Sequence, residues 1–402
     1  NNISPIYEES LDLLLKHCNS KNKISFTTDT VNAIKNSELI IVSVGTPTKT
    51  NGEIDLSQIE NVTSNLLSNI NGYKLIVIKS TLPITAVNIM KKQLSKKYKA
   101  GIDYEIVSNP EFLREGRAVF DFYNPDRIVI GGETKKSIET LKDFYSPLVK
   151  NKLNVPDEIK VSKDDIPIIE TNLPSAQMIK YGSNAFLANK VSFINEIAQI
   201  CETVGADIND VIYGMGIDPR IGSNYMQPGP GFGGPCLEKD LMALIELGNF
   251  YDLESTFMKA ILKRNERQVE LILDKVISEI KDSGSLITIL GLSFKANTDD
   301  IRNSASIKLI NLLLDKGYKV NSYDPKAKYR LKNENYFQFD DLYSAFNKSN
   351  CAVIMTEWDD FKNLDFIKIS KLMSSNIILD MRNIIEKDNQ KLSDFKYYSL
   401  GS

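Results

Sequence analysis

The sequence predicts an α/β protein with two doubly wound parallel sheets, joined by a long central helix and a helical dimerisation region. Three observations predict this class. Short apolar runs alternate with helical patterns in the first and last parts of the chain, which is typical of parallel sheets covered by helices on both faces. An apolar-periodic segment of about thirty residues lies between these parts. At 402 residues the chain also exceeds one ordinary core, so two or three domains are expected.

The first part of the chain contains five predicted strands separated by helices. The strands are the apolar runs at residues 24–28, 39–44, 75–78, 104–107 and 127–130. Helical patterns occupy residues 5–17, 56–70, 86–97 and 136–149. Because ligands bind at the carboxyl ends of the strands in such sheets, three turns are candidate binding segments: Gly45–Thr46–Pro47, Ser80–Thr81 and Asn109–Pro110–Glu111.

A dinucleotide-binding sheet normally begins with a strand and a GxGxxG turn, and no such motif opens this chain. The first hundred residues contain only Gly45, Gly52 and Gly72. One explanation is that this domain never bound a dinucleotide. The other is that the chain lacks its natural beginning, which the first residue, Asn1 instead of Met, favours. The sequence alone leaves both open.

The central part is predicted to be helical throughout. Its longest segment, residues 173–204, would extend about 45 Å as a helix, the length of a domain connector or a dimer interface. Lys180 and Asn184 lie one turn apart on this segment and therefore share a face. Further helical patterns occupy residues 207–213, the run from Cys236 onwards and residues 254–281.

The last part repeats the α/β pattern. Strands are predicted at residues 286–290, 318–323, 351–355 and 377–380, with helices at 302–315 and 340–347. A change of composition at residues 281–285 precedes them. The predicted domains are a Rossmann-like domain at 1–172, a central helical domain at 173–282 and a smaller Rossmann-like domain at 283–402.

The most distinctive segment is the glycine-rich run Gly229–Pro–Gly–Phe–Gly–Gly–Pro–Cys236. Four glycines in six residues allow backbone conformations that other residues avoid, and they let a ligand approach the main chain. The loop brings Cys236 to the first turn of a predicted helix, where unpaired N–H groups and the helix dipole favour the thiolate. Lys239 and Asp240 follow three and four residues later on the same face. The alternative interpretation is a connecting loop that ends in a buried structural cysteine.

Composition excludes several classes of function. With His17 as the only histidine, mechanisms that need imidazole, such as Ser–His–Asp hydrolysis and multi-histidine metal sites, are nearly excluded, and no metal is expected. The four cysteines lack CxxC spacing, which argues for a reducing compartment, by default the cytoplasm. A net charge of −3 argues against nucleic acid as a partner. No apolar run has the length of a membrane helix, so no membrane association is expected.

Several strings make the chain similar to the nucleotide-sugar dehydrogenases of the UDP-glucose/GDP-mannose dehydrogenase family. They occur in the family's order over nearly the whole chain. They are Ser4–Pro–Ile–Tyr–Glu–Glu–Ser–Leu11, Gly45–Thr–Pro47, Lys79–Ser–Thr–Leu–Pro83, Asn109–Pro–Glu–Phe–Leu–Arg–Glu–Gly116, Lys180–Tyr–Gly–Ser–Asn184, the glycine-rich run extended to Asp240, and Gly291–Leu–Ser–Phe–Lys295 with Arg302. The family's opening strand and GxGxxG-type turn are not among them. The resemblance implies NAD as cofactor, a UDP-sugar as substrate, and a homodimer or higher homo-oligomer formed through the central helices.

The resemblance also implies the reaction: oxidation of the sugar's C6 hydroxyl to a carboxylate in two hydride transfers that consume two NAD. An aldehyde donates hydride poorly until a nucleophile adds to it. Cys236 would form a thiohemiacetal, which gives up a hydride and leaves a thioester for water to cleave. No histidine is needed for this chemistry.

Further catalytic roles follow from the resemblance. Lys180 and Asn184 would stabilise the developing oxyanion, and Lys180 would handle the proton of the first oxidation. Asp240 would hold or deprotonate a water, Glu111 would assist thioester hydrolysis, and Thr81 would position that water. The sequence leaves open which of Glu111, Asp240 and Lys180 is the general base.

The resemblance implies two sets of binding contacts as well. The sugar-nucleotide contacts are Phe112, Leu113, Lys180, Asn184, Tyr225, Gly233, Phe294, Lys295 and Arg382. The contacts on the nicotinamide side of NAD are Thr46, Thr81, Glu115, Lys239 and Arg302. Arg220 would reach the substrate of the partner subunit, so that a dimer would complete the site. Ordinary turn and salt-bridge roles are the alternative, most of all for Thr46 and Arg382.

Two alternatives to oxidation of UDP-glucose remain. The first is the same reaction on GDP-mannose or on a UDP-N-acetylhexosamine. In the acetylhexosamine branch of the family a histidine commonly precedes the cysteine, and here Pro235 does, which favours UDP-glucose. The second is a sugar-nucleotide-binding protein with impaired catalysis. The presence of Cys236, Lys180, Asn184 and Asp240 argues against it.

Overall fold

The structure, a computed structural model, describes residues 4–47, 54–161, 165–386 and 392–401. Two compact units make up the chain: Asn1–Ser183 with Met242–Asp252, and Asn184–Leu241 with Leu253–Ser402. The three domains expected from the sequence, at 1–172, 173–282 and 283–402, stay a prediction.

The first unit contains a sheet with the strand order β1-β2-β3-β4-β5. Its strands are β1 Leu39–Val42, β2 Lys74–Ile78, β3 Tyr104–Ser108, β4 Ile128–Gly131 and β5 Ile168–Thr171. Neighbouring strands are parallel, except that β3 and β4 meet antiparallel at Ser108 and Gly131. The predicted α/β class is confirmed, although this sheet is mixed and not wholly parallel.

Strand β2 shows how the apolar runs build this sheet. Leu75 and Val77 pack into one hydrophobic cluster, and Ile76 and Ile78 pack into another. All four side chains are at most 1% exposed. Successive side chains of a strand point to opposite faces, so a strand covered on both faces needs a continuous apolar run.

Helices of the first unit precede and connect these strands. They are α1 Leu11–Ser20, α2 Thr30–Asn36, α3 Ser57–Asn69, α4 Ile84–Leu94, α5 Ala118–Tyr123 and α6 Lys135–Val149. Helix α1 begins later than the sequence predicts, directly after Ser10, which has a left-handed φ of 65°. The apolar pattern of the sequence does not predict α2 or α5, because both helices are short. The Asp29 side chain nevertheless starts α2 by accepting a hydrogen bond from the N–H of Asn32.

The strand predicted at residues 24–28 is wrong. These residues form no strand, and Phe26 is 75% exposed. The Thr27 hydroxyl oxygen accepts a hydrogen bond from the N–H of Asp29 and so leads the chain into α2. The apolar pattern also misses β5, in which Glu170 is exposed and the run is interrupted. An apolar run becomes a strand only where a neighbouring strand can pair with it.

The central helices match the predicted pattern closely. Helix α7 spans Leu173–Val204, 32 residues with the predicted ends. The next helices are α8 Ile208–Gly216, α9 Leu237–Phe250 and α10 Thr256–Glu279. In the second unit the Ser192 hydroxyl of α7 donates to the Ile261 carbonyl of α10 over 3.1 Å. This bond holds two of the central helices together.

The second unit contains a sheet in which every pair of neighbours is parallel, in the order β11-β10-β9-β6-β7-β8. The strands are β6 Leu286–Leu290, β7 Lys319–Tyr323, β8 Tyr336–Gln338, β9 Cys351–Ile354, β10 Ile377–Asp380 and β11 Lys396–Ser399. The sequence pattern misses the outermost strands, β8 and β11, because they are short and partly polar.

Four helical segments accompany the second sheet: α11 Ala305–Asp315, a 3-10 helix at Tyr343–Phe346, α12 Asp359–Lys362 and α13 Phe366–Leu372. Helix α11 begins three residues later than predicted because Ser304 caps it, its side chain accepting from the N–H of Ser306. No helix in the described part of the chain is long and apolar enough to span a membrane. Nor do the described residues contain a group of three or more His, Cys, Asp or Glu side chains that could hold a metal ion.

Candidate active site

In the first unit, Glu111 and Lys180 form an ion pair. Lys180 Nζ lies 2.9 Å from Glu111 Oε1, and the Lys180 side chain is only 6% exposed. The other carboxylate oxygen of Glu111 accepts the N–H of Leu113 over 2.6 Å. Glu111 follows β3, and Lys180 extends from α7. A buried ammonium held by a carboxylate can stabilise an oxyanion or exchange a proton with a ligand.

The ring of Phe112 faces two cations. The Arg127 guanidinium lies 3.8 Å from the ring centroid and Lys180 Nζ lies 5.4 Å from it. Both distances are within the range of cation–π attraction. The structure therefore brings together four of the predicted site residues, Glu111, Phe112, Leu113 and Lys180.

A buried network lies beside this group. Lys79 Nζ donates to Asn109 Oδ1 over 3.1 Å and to the Tyr145 hydroxyl over 3.2 Å, and Tyr145 donates to the same Asn109 oxygen over 2.6 Å. Burial lowers the pKa of Lys79 to about 8, against the opposing effect of Glu111. Burial also raises the pKa of Tyr145 to about 12. The sequence-based assignment did not include Lys79, although it opens one of the strings that carry the resemblance.

The predicted cofactor contacts of the first unit lie beyond the carboxyl ends of the strands. Thr46 follows β1 and Thr81 follows β2, and the Thr46 hydroxyl donates to the Thr81 carbonyl over 3.3 Å. Glu115 lies in the turn after β3. Next to it, the carboxylate of Glu8 accepts the N–H groups of Gly116 and Ala118 over 2.9 and 2.6 Å. The first string of the resemblance thus anchors the turn that carries Glu115.

In the second unit, the central group is a buried carboxylate with two donors. Asp240 is 1% exposed. Its Oδ2 accepts from Asn184 Nδ2 and its Oδ1 accepts from Lys239 Nζ, both over 2.6 Å. The hydrogen bond between Asn184 and Asp240 connects α7 to the first turn of α9. The structure thereby brings together three predicted site residues from two separate stretches of sequence.

Cys236 lies directly before α9. It is exposed and is not in a disulfide. Its carbonyl oxygen accepts the N–H of Asp240 over 2.9 Å, so Cys236 occupies the N-cap position and not the first turn that the sequence predicts. The thiol still lies at the end of the helix where N–H groups are unpaired. The alternative of a buried structural cysteine is wrong.

The loop before Cys236 needs its glycines. Gly231 and Gly234 have φ values of 100° and 78°, which other residues rarely adopt. A Cβ added to Gly231 would lie 2.5 Å from Asn265 Oδ1, and one added to Gly234 would lie 2.8 Å from the ring of Phe294. The close approach and the backbone conformation thus require glycine at both positions.

Three buried amide side chains hold this loop. Asn195 Oδ1 accepts the N–H of Gly229 over 2.8 Å, and Gln268 Nε2 donates to the Gly229 carbonyl over 2.8 Å. Asn265 binds both backbone groups of Phe232, over 2.8 and 3.0 Å. Sequence-based reasoning missed these residues. The available signal was a pair of amides at i and i+3 among the apolar positions of α10.

A second loop of this unit lies against the glycines. A Cβ on Gly233 would lie 2.7 Å from the Asn303 carbonyl oxygen. Lys295 Nζ lies 5.6 Å from the centroid of the Phe294 ring. Arg382 donates from Nη2 to the Phe294 carbonyl over 3.2 Å and lies 3.1 Å from Glu357 Oε2. Gly233, Phe294, Lys295 and Arg382 are therefore neighbours.

Three predicted site residues are more exposed. Arg302 is 66% exposed on its side chain and pairs with Asp300. The Arg220 side chain is 87% exposed, and its Nη2 lies 2.5 Å from Asp218 Oδ2. Tyr225 is 43% exposed and has a φ of 63°. These three residues are more exposed than the buried Asp240.

The sequence and the fold match one family over three segments. Residues 1–149 match the NAD binding domain of the UDP-glucose/GDP-mannose dehydrogenase family, residues 174–267 match its central domain, and residues 288–387 match its UDP binding domain. The chain is therefore an NAD-dependent nucleotide-sugar dehydrogenase. It belongs to the UDP-glucose/GDP-mannose dehydrogenase family. The UDP binding domain supports a UDP-sugar as substrate.

Individual relatives agree with this assignment. The UDP-glucose 6-dehydrogenase of Rickettsia bellii (strain RML369-C) is 39% identical over 406 aligned residues, covering 100% of this chain and 90% of that protein. UDP-glucose 6-dehydrogenase TuaD of Bacillus subtilis (strain 168) is 35% identical over 405 residues, covering 100% of this chain and 84% of that protein.

Solved structures with the same fold include two dehydrogenases. The UDP-glucose dehydrogenase of Pyrobaculum islandicum has a TM-score of 0.85 at 29% identity, covering 99% of this chain and 87% of that one. The UDP-D-ManNAc dehydrogenase of Pyrococcus horikoshii has a TM-score of 0.84 at 25% identity, covering 100% of this chain and 90% of that one. The family, the fold class and NAD, all expected from the sequence, are confirmed.

Proposed function

We propose that the protein oxidises UDP-glucose to UDP-glucuronate, consuming two NAD per sugar, through a thiohemiacetal and a thioester on Cys236. One observation carries the proposal: Cys236 caps α9, and the first turn of this helix carries Lys239 and the buried Asp240 bound to Asn184. The UDP-glucose 6-dehydrogenases that are 39% and 35% identical support UDP-glucose as the sugar nucleotide.

NAD fits the residues at the carboxyl ends of the first sheet. The Thr46 hydroxyl donates to the Thr81 carbonyl there over 3.3 Å, and such groups can bind a carboxamide and a ribose. Thr46, Thr81, Glu115, Lys239 and Arg302 are the proposed contacts on the nicotinamide side. When bound, NAD supplies the hydride acceptor for both oxidations.

The first oxidation converts the C6 alcohol into an aldehyde. Lys180 in its amine form would take up the hydroxyl proton while C6 loses a hydride, and Glu111 would hold the ammonium that results. The Cys236 sulfur then adds to C6, and the carbonyl oxygen becomes an oxyanion. Asn184 and Lys180, one turn apart on α7, would stabilise that oxyanion.

The second oxidation leaves C6 as a thioester to Cys236. Water adds to this carbon, the C–S bond breaks, and the products are a carboxylate and the free thiol of Cys236. Thr81 would position the water, and Glu111 or Asp240 would accept its proton. Asp240 and Glu111 both accept hydrogen bonds on both carboxylate oxygens, but the Asp240 side chain is 1% exposed and the Glu111 side chain is 28% exposed. Of the two, this exposure favours Glu111 as the group that contacts water.

The remaining predicted contacts would bind the nucleotide. Lys295 offers a compact cation for the diphosphate. Phe294, Gly233, Tyr225 and Arg382 would be further nucleotide contacts of the second unit, and Phe112 and Leu113 are the proposed contacts of the first. Arg382 donates to the carbonyl of Phe294 over 3.2 Å, which supports it as a second cation for the nucleotide. Pro235 before the cysteine favours UDP-glucose over a UDP-N-acetylhexosamine.

We also infer a homodimer or higher homo-oligomer formed through the central helices. Phe186, Phe193 and Ile200 recur every seven residues on α7 and are 61%, 45% and 52% exposed. An exposed apolar stripe on one helix face is typical of a protein–protein contact. The exposed Arg220 would then reach the partner subunit's substrate.

The decisive experiment is stoichiometric. Purified protein is given excess NAD and a limiting amount of UDP-glucose, GDP-mannose, UDP-N-acetylglucosamine or UDP-N-acetylmannosamine in parallel. We expect two NADH per UDP-glucose and turnover at least ten times slower with the other sugar nucleotides. One NADH per sugar would exclude the four-electron mechanism. Two NADH per molecule of another sugar nucleotide, with none from UDP-glucose, would support the four-electron mechanism but show that UDP-glucose is not the substrate.

A further inference from the structure

The carboxylate of Asp324, at the end of β7, accepts six hydrogen bonds although the residue is only 2% exposed. Oδ1 accepts the N–H groups of Lys326 and Ala327 over 2.8 and 2.7 Å, which closes the turn that follows Asp324 itself. Oδ2 accepts from a different part of the chain. It therefore links two segments that both lie at the carboxyl end of the second sheet.

The donors to Oδ2 belong mainly to the turn after β6. They are the N–H of Leu292 over 2.7 Å, the N–H and hydroxyl of Ser293 over 3.0 and 3.1 Å, and Trp358 Nε1 over 3.3 Å. These four donors are neutral. Only a carboxylate oxygen has the charge to hold so many neutral donors at once. The two residues that follow in the chain are Phe294 and Lys295.

The carbonyl groups of the same turn are held as well. The Thr356 hydroxyl donates to the Ser293 carbonyl over 2.9 Å, and the Ser304 hydroxyl donates to the Leu292 carbonyl over 2.7 Å. Gly291 has a φ of 90° and lies so close to Thr356 that no Cβ would fit there. With Asp324 in place, both N–H groups and both carbonyls of Leu292 and Ser293 are bound.

The fixed turn also determines where Phe294 lies. Its ring is within 2.8 Å of where a Cβ of Gly234 would be, and the N–H of Gly234 donates to the Arg302 carbonyl over 3.0 Å. Gly234 is two residues before Cys236. Any shift of the turn would therefore change the position of both Phe294 and Lys295.

We propose that Asp324 is a positioning residue for the sugar nucleotide: its carboxylate fixes the turn that presents Phe294 and Lys295 to the nucleotide diphosphate. This inference rests on the proposed function, because Phe294 and Lys295 are nucleotide contacts only there. Asp324 acts through backbone N–H groups and does not touch the substrate itself. The buried Asp324 carboxylate thus organises the turn after β6, and this turn would bind a second anion, the nucleotide diphosphate.

The test is Asp324→Asn, with UDP as the probe. An amide has one oxygen fewer and turns an N–H₂ group towards donors, so at least two of the six hydrogen bonds are lost. We expect the Kd of UDP, measured by calorimetry without NAD, to rise about tenfold or more. The KM of UDP-glucose should rise in parallel, kcat should change by less than about threefold, and the KM of NAD should stay unchanged.

Two controls separate positioning from loss of stability. Asp341→Asn makes the same chemical change at an exposed aspartate that binds Ser344 through its N–H and hydroxyl. It should leave the Kd of UDP unchanged. Val320→Ala removes a fully buried side chain from β7 and lowers Tm without touching the turn. It should retain UDP affinity at a Tm as low as that of Asp324→Asn.

Ser293→Ala provides a second variant should Asp324→Asn fail to fold. It removes one donor to Oδ2 and leaves the backbone donors in place, so the Kd of UDP should rise about two- to threefold. Unchanged UDP affinity in a folded Asp324→Asn or in Ser293→Ala would overturn the positioning role, as would an equal loss in Val320→Ala. A wild-type protein that binds no UDP would overturn the proposed function together with it.

Discussion

Asn184 donates a hydrogen bond from Nδ2 to Oδ2 of Asp240 over 2.6 Å, in a position where Asp240 is 1% exposed. The other carboxylate oxygen holds Lys239 over 2.6 Å. Both oxygens are thus committed before any ligand binds. This arrangement suits a residue that orients its neighbours. Both oxygens of Glu111 are also bound, but its side chain is 28% exposed, which makes Glu111 the more accessible proton acceptor.

We expect Asp240→Asn to destabilise the protein and to slow turnover. The change removes the negative charge that compensates Lys239, whose side chain is 14% exposed. Breaking a buried ion pair in this way costs about 3 kcal/mol of unfolding free energy. Urea unfolding and kcat with UDP-glucose would be measured on the same samples. A loss below about 0.5 kcal/mol would show that the pair does not hold α9 in place.

Cys236→Ser tests the nucleophile. A serine hydroxyl is a far weaker nucleophile than a thiolate, so the variant should bind UDP-glucose but fail to complete the second oxidation. Rapid-quench measurements should then find at most one NADH per sugar, or a sugar adduct on the protein by mass spectrometry. Cys18→Ser, a change at a cysteine outside the site, is the matched control. Full turnover by Cys236→Ser would refute the assignment.

Local sequence determines much of this fold. Helix α7 has the predicted ends because its apolar period continues without interruption over 32 residues, and β2 is found because it is apolar on both faces. The sequence-based prediction fails for elements that depend on partners distant in sequence. Residues 24–28 have an apolar run but no neighbouring strand to pair with, and β11 is a strand only because β10 pairs with it.

In the candidate site, too, contacts between residues close in sequence can be predicted, and contacts between distant residues cannot. The spacing from Cys236 to Asp240 lies within one helical turn, so the sequence can predict that they are neighbours. The contact of Asp240 with Asn184 joins positions 56 residues apart, and only the resemblance brought Asn184 into the site. No local pattern reports that Asp324 binds Leu292 and Ser293, because these partners meet only through the order of the strands.

Phe193→Glu tests the inferred oligomer. A carboxylate at the middle of the stripe Phe186, Phe193 and Ile200 would lose its hydration in an apolar interface. Sedimentation should show a shift from the wild-type oligomer to monomers at micromolar protein. Phe337→Glu is the control, since Phe337 is 59% exposed on β8 and away from α7 in sequence. A Phe193→Glu variant with the wild-type sedimentation coefficient would place the interface elsewhere.

Lys79 should make stability depend on alkaline pH. Burial lowers its pKa from 10.5 to about 8 in the folded protein. Below about pH 8 Lys79 carries its proton in both the folded and the unfolded state, so it does not make the unfolding free energy depend on pH. Between about pH 8 and 10.5 the unfolded state binds more protons, so the unfolding free energy contributed by this residue rises with pH, by up to about 1.4 kcal/mol per pH unit.

Lys79→Met removes this contribution. The unfolding free energy of the wild type minus that of the variant should therefore be constant from pH 6 to 7.5 and should rise by about 2 kcal/mol between pH 8 and 10. Denaturant unfolding at each pH measures it. Lys92→Met, at an exposed position of α4, is the control. Its unfolding free energy should change with pH in the same way as that of the wild type. A difference that does not change with pH would mean that Lys79 keeps its proton throughout.

Gly234→Ala tests the contact between the glycine-rich loop and Phe294. The new methyl group would lie 2.8 Å from the ring in a backbone conformation with φ of 78°, and strain with overpacking should cost about 2 kcal/mol of unfolding free energy. Because the strain falls two residues before Cys236, kcat/KM should drop at least tenfold. Gly214→Ala, inside α8 with no atom within 4 Å of the added Cβ, should instead stabilise the protein by about 0.5–1 kcal/mol. If both variants unfold like the wild type, the loop does not lie against Phe294, and the link from the nucleotide turn to the cysteine is lost with it.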